Sequence, residues 1–325
     1  MRFADVGRVE IESAPRPEPG PGEVVVRVTS CGLCGSDATM LSGRHPVIRP
    51  PLVPGHEIVG VVARVGAQAV AGVGARVAVL PQVGCGECRQ CRRGHPRLCA
   101  RMRLIGGQIV GGASEEVVVP ADALVVVPAD VPDAVLPIVE PLAVAAHAVA
   151  RVPALAGLEV LVVGGGPIGL LVALAAGAAG AAVTLVEPVE ARRAVVAHFG
   201  VAVVGAVPEC EVDVVFDCVG GAELPSSLLG SVVAGGTLVL VGVAAPQVTF
   251  DGILLQRQER AILGSHMYTR EDFEAALGLL AGGLLRTDAA SLALLFDRRP
   301  LEGAVSAFED LVGRRSPALK ILLVP

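Results

Sequence analysis

The sequence runs Leu161-Val162-Val163-Gly164-Gly165-Gly166-Pro167-Ile168-Gly169 between a valine-rich segment and an alanine-rich one. Its glycines Gly164, Gly166 and Gly169 have the Gly-x-Gly-x-x-Gly spacing that closes a strand-to-helix turn on a pyrophosphate. In a chain with 40 glycines, chance supplies roughly half a match of this kind, so the spacing alone is weak evidence. The flanking strand and helix make it specific. We therefore predict a dinucleotide-binding turn that includes Pro167.

Glu187 ends the strand that follows this helix. An acid at this distance from the glycine turn accepts hydrogen bonds from the adenosine ribose hydroxyls, and its charge repels a 2′-phosphate. The pattern therefore favours NAD over NADP. Arg192 and Arg193 support the alternative, because a nearby guanidinium can hold that phosphate.

Around this turn, apolar strands alternate with alanine-rich helices from about residue 141 to residue 265. The alternation predicts a doubly wound α/β domain, in which crossover helices cover a parallel sheet. Residues 1–140 instead contain short valine-rich runs separated by glycine and proline, which predicts an all-β domain. We expect residues 266–325 to return to the β domain, because the final Leu319 to Val324 has the pattern of a strand.

The composition is that of a globular protein that acts on small molecules. The 325 residues are 53% hydrophobic and 18% charged, and a net charge of -6 gives no broad basic surface for nucleic acid or anionic lipid. The uncharged run 160–186 is long enough to cross a bilayer. Gly164 to Pro167 interrupts that run, so we expect strand, turn and buried helix there and no membrane span. The N-terminus lacks the apolar core of a secretory signal, so we expect a cytoplasmic protein.

Four of the eight cysteines fall in one short loop, at Cys85, Cys88, Cys91 and Cys99. Random placement gives this spacing on the order of once in ten thousand such chains. Four thiolates suit a tetrahedral zinc ion with Zn–S bonds of about 2.3 Å. A pair of disulfides is the alternative, which a reducing cytoplasm disfavours. A zinc site closed by four protein ligands is structural, because no position stays open for substrate.

A second set of metal-binding side chains is spread over three segments: Cys34-Gly35-Ser36-Asp37, Gly55-His56-Glu57, and Glu140 at the passage from the β domain to the α/β domain. Catalytic zinc needs about three protein ligands and one open position. Cys34 and His56 supply two ligands, and either Glu57 or Glu140 supplies the third. Position in the chain favours Glu140. In the alternative interpretation these are a buried cysteine, a turn histidine and a helix-end carboxylate.

Together these motifs resemble the zinc-containing medium-chain dehydrogenases, especially the branch of sorbitol, threonine and related polyol or amino-alcohol dehydrogenases. The resemblance covers nearly the whole chain and includes Glu140-Pro141-Leu142-Ala143-Val144 and Gly235-Gly236-Thr237-Leu238-Val239. Glu140 in place of a cysteine is typical of the polyol branch. The resemblance implies a chaperonin-10-like β-barrel catalytic domain joined to a Rossmann domain, with NAD and two zinc ions per chain, one catalytic and one structural.

The resemblance also implies roles for individual residues. Zinc acts as a Lewis acid on the substrate hydroxyl, NAD accepts the hydride, and Ser36 accepts the first proton. Many relatives have a histidine where this chain has Thr39, and His45 in the adjacent loop is a possible substitute that passes the proton to solvent. The residues expected to line the cofactor are Ile168, Glu187, Arg192, Val241, Gly242, Val243, Met267 and Tyr268.

The implied substrate is a small-molecule alcohol or ketone, namely a secondary alcohol, polyol or amino alcohol, and the implied assembly is a homodimer or homotetramer. Two other functions are considered. One is a zinc-free quinone or enoyl reductase of the same superfamily, and the other is a catalytically silent cofactor-binding protein of the same fold. Zinc content, measured together with NAD reduction by a panel of alcohols, distinguishes the three.

Overall fold

The computed structural model describes residues 1–243 and 245–325. Its β-strands are β1 Arg2–Asp5, β2 Arg8–Glu10, β3 Glu23–Gly32, β4 Glu57–Val65, β5 Arg76–Val79, β6 Gln82–Val83, β7 Arg103–Leu104, β8 Glu116–Pro120, β9 Leu124–Val126, β10 Glu159–Val163, β11 Ala182–Val186, β12 Ala202–Val204, β13 Val212–Asp217, β14 Val232–Leu240, β15 Ala261–Gly264, β16 Phe296–Pro300 and β17 Lys320–Val324. Its α-helices are α1 Gly35–Leu41, α2 Arg89–Arg92, α3 Val139–Ala150, α4 Pro167–Ala178, α5 Glu190–His198, α6 Leu224–Leu229, α7 Gly252–Arg257, α8 Arg270–Ala281, α9 Ala289–Leu295 and α10 Ala304–Gly313.

The chain divides into two units. The first contains Met1–Glu140 and Thr287–Pro325, and the second contains Pro141–Arg286. The first boundary falls at the residue that the sequence analysis gave, whereas the second differs from it.

The first unit is built around β3, which pairs antiparallel with β4, β8 and β17. Its main sheet has the strand order β16-β17-β3-β4-β5-β9. The run Val24–Val26 is fully buried in β3, as expected for β-branched residues on a covered sheet. Gly32 at the end of β3 pairs with Glu57 at the start of β4. The segments that carry Cys34 and His56 are therefore neighbours.

Helices α1 and α10 join this unit through an apolar cluster that includes Phe3, Met40, Phe308 and Leu323. The rings of Phe3 and Phe308 meet edge to face with their centroids 4.9 Å apart. Full burial of a side chain of this size stabilises the fold by about 1.5–3 kcal/mol. The cluster fixes α1 on the sheet, and so fixes the backbone that directly follows Cys34.

The second unit contains a parallel sheet with the order β12-β11-β10-β13-β14-β15. The chain moves outward from β10 to β12 and then crosses back to β13, so the strand order reverses between β10 and β13. In open α/β sheets, ligands bind at the carboxyl ends of the strands at such a reversal. The predicted doubly wound α/β arrangement is confirmed, and β10 leads directly into the glycine turn.

The stretch 266–286 belongs to the second unit, although the sequence analysis assigned it to the returning segment. Helix α8 lies in this stretch and buries Phe273 and Leu277 on its apolar face. Its first turn is also tied to α3, because His147 Nδ1 and Asp272 Oδ2 lie 2.7 Å apart. The boundary at residue 265 follows the last strand of the parallel sheet, but the next helix, α8, still packs within the second unit.

Within residues 1–243 and 245–325, no helix is both long enough and apolar enough to cross a bilayer.

Candidate functional site

The metal-binding atoms of Cys34, His56 and Glu57 all lie within 4.8 Å of one another. Cys34 is the residue that caps the N-terminus of α1, and His56 and Glu57 stand where β4 begins. His56 and Glu57 are buried and Cys34 is half-buried. A thiolate, an imidazole and a carboxylate at such spacing match the ligand types of zinc.

Asp37 orients two members of this group. Its Oδ2 accepts a hydrogen bond of 2.8 Å from the backbone N–H of Cys34, and its Oδ1 lies 3.6 Å from Nδ1 of His56. With Nδ1 beside a carboxylate, the other ring nitrogen of His56 is left to face a metal, the usual arrangement around metal-bound histidine. The sequence analysis gave Asp37 no role. Its place three residues after Cys34, as the acid of a capping box, was the available signal.

The charges around His56 favour a cation. Burial by itself lowers the pKa of His56, but the Asp37 carboxylate and the Cys34 sulfur outweigh burial and raise this pKa well above its usual range. An electrostatic field that stabilises a proton on a buried imidazole also stabilises a divalent ion at the same place. The electrostatics therefore agree with the chemistry of the ligand set.

Lys320 is a buried cation that the sequence analysis did not predict. Its Nζ donates hydrogen bonds to Oε1 of Glu57 at 2.6 Å and to the carbonyl of Leu33 at 3.1 Å. Burial lowers the pKa of Lys320, but the charges of Glu57, Cys34 and Glu140 together raise it above its usual value. Lys320 thus links the C-terminal strand β17 to both segments that carry the metal-binding residues.

Gly32 makes room for the Glu57 carboxylate, since a Cβ atom at position 32 would lie 2.0 Å from Glu57 Oε2. Three buried atoms of this cluster have no hydrogen-bond partner among the described residues: Oε2 of Glu57, Nδ1 of His56 and Oδ1 of Asp37. Nδ1 of His56 and Oδ1 of Asp37 face each other at 3.6 Å, which leaves Oε2 of Glu57 as the unpaired atom beside the thiol and the imidazole that a cation would stabilise. The residues present therefore fit the catalytic zinc that the resemblance implies.

Glu140 is buried in the first turn of α3. The 3-10 turn Leu136–Ile138, which precedes it, packs against β3 and β4. The group formed by Cys34, His56 and Glu57 does not include Glu140, although its charge reaches Lys320. The role of Glu140 as third ligand stays a prediction.

The candidate proton path begins at Ser36, a half-buried residue in the first turn of α1. The hydroxyl of Thr39 donates a 2.8 Å hydrogen bond to the Ser36 carbonyl. Nδ1 of His45 accepts hydrogen bonds from the backbone N–H groups of Val47 at 3.3 Å and Ile48 at 3.0 Å. Because those bonds occupy its lone pair, the geometry supports His45 as a loop-shaping residue more than as a proton acceptor.

The sulfur atoms of Cys85, Cys88, Cys91 and Cys99 all lie within 4.8 Å of one another, and those of Cys85 and Cys91 are 4.0 Å apart. A tetrahedron with Zn–S bonds of about 2.3 Å has S···S edges of about 3.8 Å. None of the eight cysteines is disulfide-bonded in the structure. The loop therefore has the geometry of a four-cysteine zinc site.

Charge is unevenly shared within this loop. Backbone hydrogen bonds from Glu87 and Cys88 lower the pKa of Cys85 to about 6, whereas burial and the Cys88 side chain raise the pKa of Cys91 to about 11. Four neighbouring thiols do not all ionise readily, because the thiolates repel one another, and a bound divalent cation compensates for that repulsion. One arginine also contributes, since Nη2 of Arg101 lies 3.3 Å from the Cys85 sulfur.

The glycine turn has the close approaches that its spacing predicted. Gly164 has φ +108°, and a Cβ on Gly169 would lie 1.7 Å from the Gly164 carbonyl oxygen. Gly166 caps α4, whose first residue is Pro167, and Ile168 follows it. The backbone N–H groups at this end of α4 are suited to bind an anion, because the glycines of the turn have no side chains that would cover them.

Glu187 lies directly after β11 and is 4% exposed. Its Oε2 accepts a hydrogen bond from the backbone N–H of Gly165, and its Oε1 accepts one from Val189, both at 2.9 Å. Nη1 of Arg192 is 3.8 Å from Oε2. The acid predicted to meet the ribose thus lies against the glycine turn, as a dinucleotide site requires.

Three further residues predicted at the cofactor, Val241, Gly242 and Val243, follow β14 at the carboxyl edge of the parallel sheet. Met267 has a positive φ of 51° just before α8. Tyr268 is fully buried, with its ring centroid 5.6 Å from that of Phe273. The ring of Tyr268 therefore contributes to packing, and its contact with a cofactor stays a prediction.

Comparison with known proteins now identifies the family. Residues 20–129 match the family model for the alcohol dehydrogenase GroES-like domain, and residues 167–282 match that for zinc-binding dehydrogenase. The chain is 32% identical over 316 residues to L-galactonate-5-dehydrogenase of Escherichia coli, which covers 92% of this chain and 91% of that protein. It belongs to the zinc-dependent medium-chain alcohol dehydrogenases.

Within this family, the chain is also 29% identical over 337 residues to sorbitol dehydrogenase of Bacillus subtilis, which covers 98% of this chain and 94% of that protein. A Sinorhizobium meliloti protein crystallised with NADP has 31% identity and a TM-score of 0.90, and the match covers 100% of this chain and 98% of that one. The predicted family, its polyol branch and the chaperonin-10-like domain are confirmed. The first matched range of this medium-chain dehydrogenase contains Cys34, His56, Glu57 and the four-cysteine loop.

Proposed function

We propose that this dehydrogenase oxidises a secondary hydroxyl of a polyol or sugar acid, with NAD as the hydride acceptor, and catalyses the reverse reduction. The observation that carries the proposal is the grouping of the Cys34, His56 and Glu57 donors within 4.8 Å in a buried, cation-favouring cluster. The substrate class is supported by the names of the relatives, a sorbitol dehydrogenase and an L-galactonate-5-dehydrogenase.

Cys34 and His56 would hold the catalytic zinc together with one carboxylate, and the remaining position would take the substrate hydroxyl. When bound, zinc supplies Lewis-acid activation of that hydroxyl, and the nicotinamide supplies the hydride acceptor. Asp37 holds His56 in its binding orientation, and Lys320 holds Glu57 in place. Ser36, two residues from Cys34, would relay the hydroxyl proton, accepting it at its side-chain oxygen as it releases its own proton toward solvent.

The preference for NAD over NADP rests on how the two arginines of α5 are engaged. Nη1 of Arg193 donates hydrogen bonds to the carbonyls of Glu187 at 3.0 Å and Pro188 at 2.7 Å. Arg192 lies in ion-pair range of the Glu187 carboxylate. Neither guanidinium is therefore free for a 2′-phosphate while Glu187 carries its charge, and Glu187 itself repels that phosphate.

Replacing Glu187 with serine is expected to raise the ratio of NADP to NAD turnover, measured as kcat/KM, by about tenfold or more. The change removes a ribose acceptor and a phosphate repulsion, and it releases Arg192. Glu190→Ser is a matched control, because Glu190 is an exposed acid in the first turn of α5. Faster turnover of the unaltered enzyme with NADP than with NAD would show that the arginines dominate.

The four-cysteine loop is proposed to hold the second zinc ion. Replacing Cys91 with serine is expected to remove one zinc per chain and to lower Tm by about 5 °C or more, because metal binding closes this loop and contributes folding energy. Activity per folded molecule at 25 °C should stay within about threefold of the original. Cys210→Ser, a change at an exposed cysteine outside the loop, should alter neither zinc content nor Tm. Unchanged zinc content in Cys91→Ser would contradict the assignment.

The proposed function is tested by measuring zinc per chain and the absorbance of reduced cofactor with a panel of polyols, sugar acids, amino alcohols and simple secondary alcohols. We expect two zinc ions per chain and NAD reduction that is fastest within the polyol and sugar-acid group. A protein with zinc only in the four-cysteine loop and no turnover of any alcohol would overturn the proposal, and would favour the cofactor-binding alternative.

A further inference from the structure

Asp217 is a fully buried carboxylate that none of the motifs above accounts for. It is the last residue of β13 and pairs with Val163, the last residue of β10. These two strands flank the point where the strand order of the sheet reverses. Asp217 therefore stands at the carboxyl edge, where an open α/β sheet binds its ligand.

Two loops meet at this one residue. Oδ1 of Asp217 accepts hydrogen bonds from the backbone N–H groups of Val219 at 2.9 Å and Gly220 at 2.8 Å. Its main-chain carbonyl accepts two more, from Val241 at 2.9 Å and Gly242 at 2.8 Å. Asp217 thus fixes the loop that follows β13 and the loop that follows β14.

The two loops also pack against each other. Gly220 has φ +78°, and a Cβ there would lie 2.3 Å from the carbonyl oxygen of Val243. The N–H of Gly221 donates a 3.1 Å hydrogen bond to the same oxygen. Only glycine at position 220 permits this approach, so the position of one loop determines that of the other.

This loop pair borders the dinucleotide turn. A Cβ on Gly164, the first glycine of the turn, would lie 2.8 Å from Cγ2 of Val219. The side chains of Val219 and Val243 are 55% and 92% exposed. The loops that Asp217 fixes thus present two apolar side chains to solvent, one of them, Val219, beside the glycine turn, and such a surface is suited to a flat ring.

The Asp217 carboxylate has no cationic partner among the residues that the structure describes, and its Oδ2 has no hydrogen-bond partner there either. A buried carboxylate without a countercharge is expensive for the fold. Its two short bonds to Val219 and Gly220 compensate for part of that cost and at the same time order the loop. We therefore attribute the burial of the Asp217 carboxylate to its role in fixing the positions of the two loops.

We propose that Asp217 is a positioning residue for the nicotinamide half of the cofactor, an inference that rests on the proposed function. A doubly wound sheet is built of two mononucleotide-binding halves. Glu187 directly follows β11 in the half expected to take the adenosine, and Asp217 is the last residue of β13 in the other half. Asp217 acts through the loops of Val219 and Val243, which shape the surface for the nicotinamide ring and its ribose.

The test compares two ligands, NADH and ADP-ribose, the second of which lacks the nicotinamide. For Asp217→Ala we expect the Kd of NADH to rise about tenfold or more, since two hydrogen bonds that order the loop are lost, while the Kd of ADP-ribose stays within about threefold. Calorimetric titration gives both constants, and the fluorescence of bound NADH provides a second reading. Parallel weakening of both ligands, or of neither, would overturn the proposal.

Three more variants make the result specific. Asp213→Ala is the control, because Asp213 lies at the other end of β13 and its Oδ2 also accepts a backbone N–H, that of Glu159 at 2.8 Å. It should leave both Kd values unchanged. Asp217→Asn keeps an oxygen acceptor and should bind NADH within about threefold of the original, and a loss as large as that of alanine would refute a positioning role.

Gly220→Ala forces the two loops apart while the Asp217 side chain is kept, and should give the same split between NADH and ADP-ribose even where Asp217→Ala fails to fold. An equal loss of both ligands in this variant would count against the loop pair. The unaltered protein reports on the proposed function itself. If it binds ADP-ribose and not NADH, the nicotinamide cofactor is wrong and the role of Asp217 falls with it, whereas normal NADH binding in every variant refutes Asp217 alone.

Discussion

Replacing Cys34 with alanine is expected to lower kcat by about a thousandfold or more, while the Kd of NADH changes by less than about threefold. Cys34 would supply the thiolate of the proposed metal site and is the N-cap residue of α1. Without it, His56 and one carboxylate remain, and a catalytic zinc needs about three protein ligands. Steady-state kinetics, NADH titration and zinc analysis measure the three quantities, and zinc content should fall from two to one per chain.

Cys31→Ala is the matched control for this prediction. Cys31 lies three residues earlier and is fully buried, and its sulfur is not part of the group of metal-binding atoms formed by Cys34, His56 and Glu57. We expect this variant to lose stability through a small cavity and to keep its zinc and its kcat. Comparable losses of kcat in Cys31→Ala and Cys34→Ala would show that the position of the loop, and not the metal ligand, was disturbed.

The parts of the site that sequence alone identified are those whose chemistry is local. The glycine turn fits within nine residues, and its tightest contact is local, because a Cβ on Gly169 would meet the carbonyl oxygen of Gly164. The four cysteines likewise lie within one loop. Local spacing was enough in both cases to predict the geometry that the structure shows.

Contacts between residues far apart in the chain could not be predicted from the sequence. The bond between Lys320 and Glu57 joins residues 263 positions apart, and no periodicity or spacing connects them. Only the pairing of β17 with β3 brings this lysine close to Glu57, and the sequence does not show that pairing. The assignment of residues 266–286 to one unit or the other is difficult for a related reason, because the apolar face of α8 shows that a helix is buried without showing which core buries it.

Lys320 bears on the choice between Glu57 and Glu140 as the third zinc ligand. Its Nζ is bonded to Oε1 of Glu57 at 2.6 Å, and a carboxylate in a buried ion pair gives up that bond only at a cost. Oε2 of Glu57 sits against Gly32. We therefore expect Glu57 to be a structural anion beside the metal site, and Glu140, the acid in the first turn of α3, to be the third ligand.

The expected difference is measured with glutamines, which keep the shape and an oxygen acceptor. Glu140→Gln should lower kcat by about a hundredfold and reduce catalytic zinc, because a neutral amide is a poorer zinc ligand than a carboxylate. Glu57→Gln should lower kcat by about tenfold or less and keep its zinc, and its main effect should be a lower free energy of unfolding, by about 3 kcal/mol, since the Lys320 ammonium stays buried without its partner.

The double variant Glu57→Gln with Lys320→Met separates stability from coordination. Removing the buried cation together with its partner should recover most of the lost stability, as measured by denaturant unfolding. If Glu57 acts only through that ion pair, the double variant also keeps its zinc and most of its kcat. Equal zinc loss in Glu57→Gln and Glu140→Gln, or a larger loss in Glu57→Gln, would make Glu57 the third ligand, in agreement with its place in the 4.8 Å group. Glu140 would then affect the metal only indirectly, through its electrostatic interaction with Lys320.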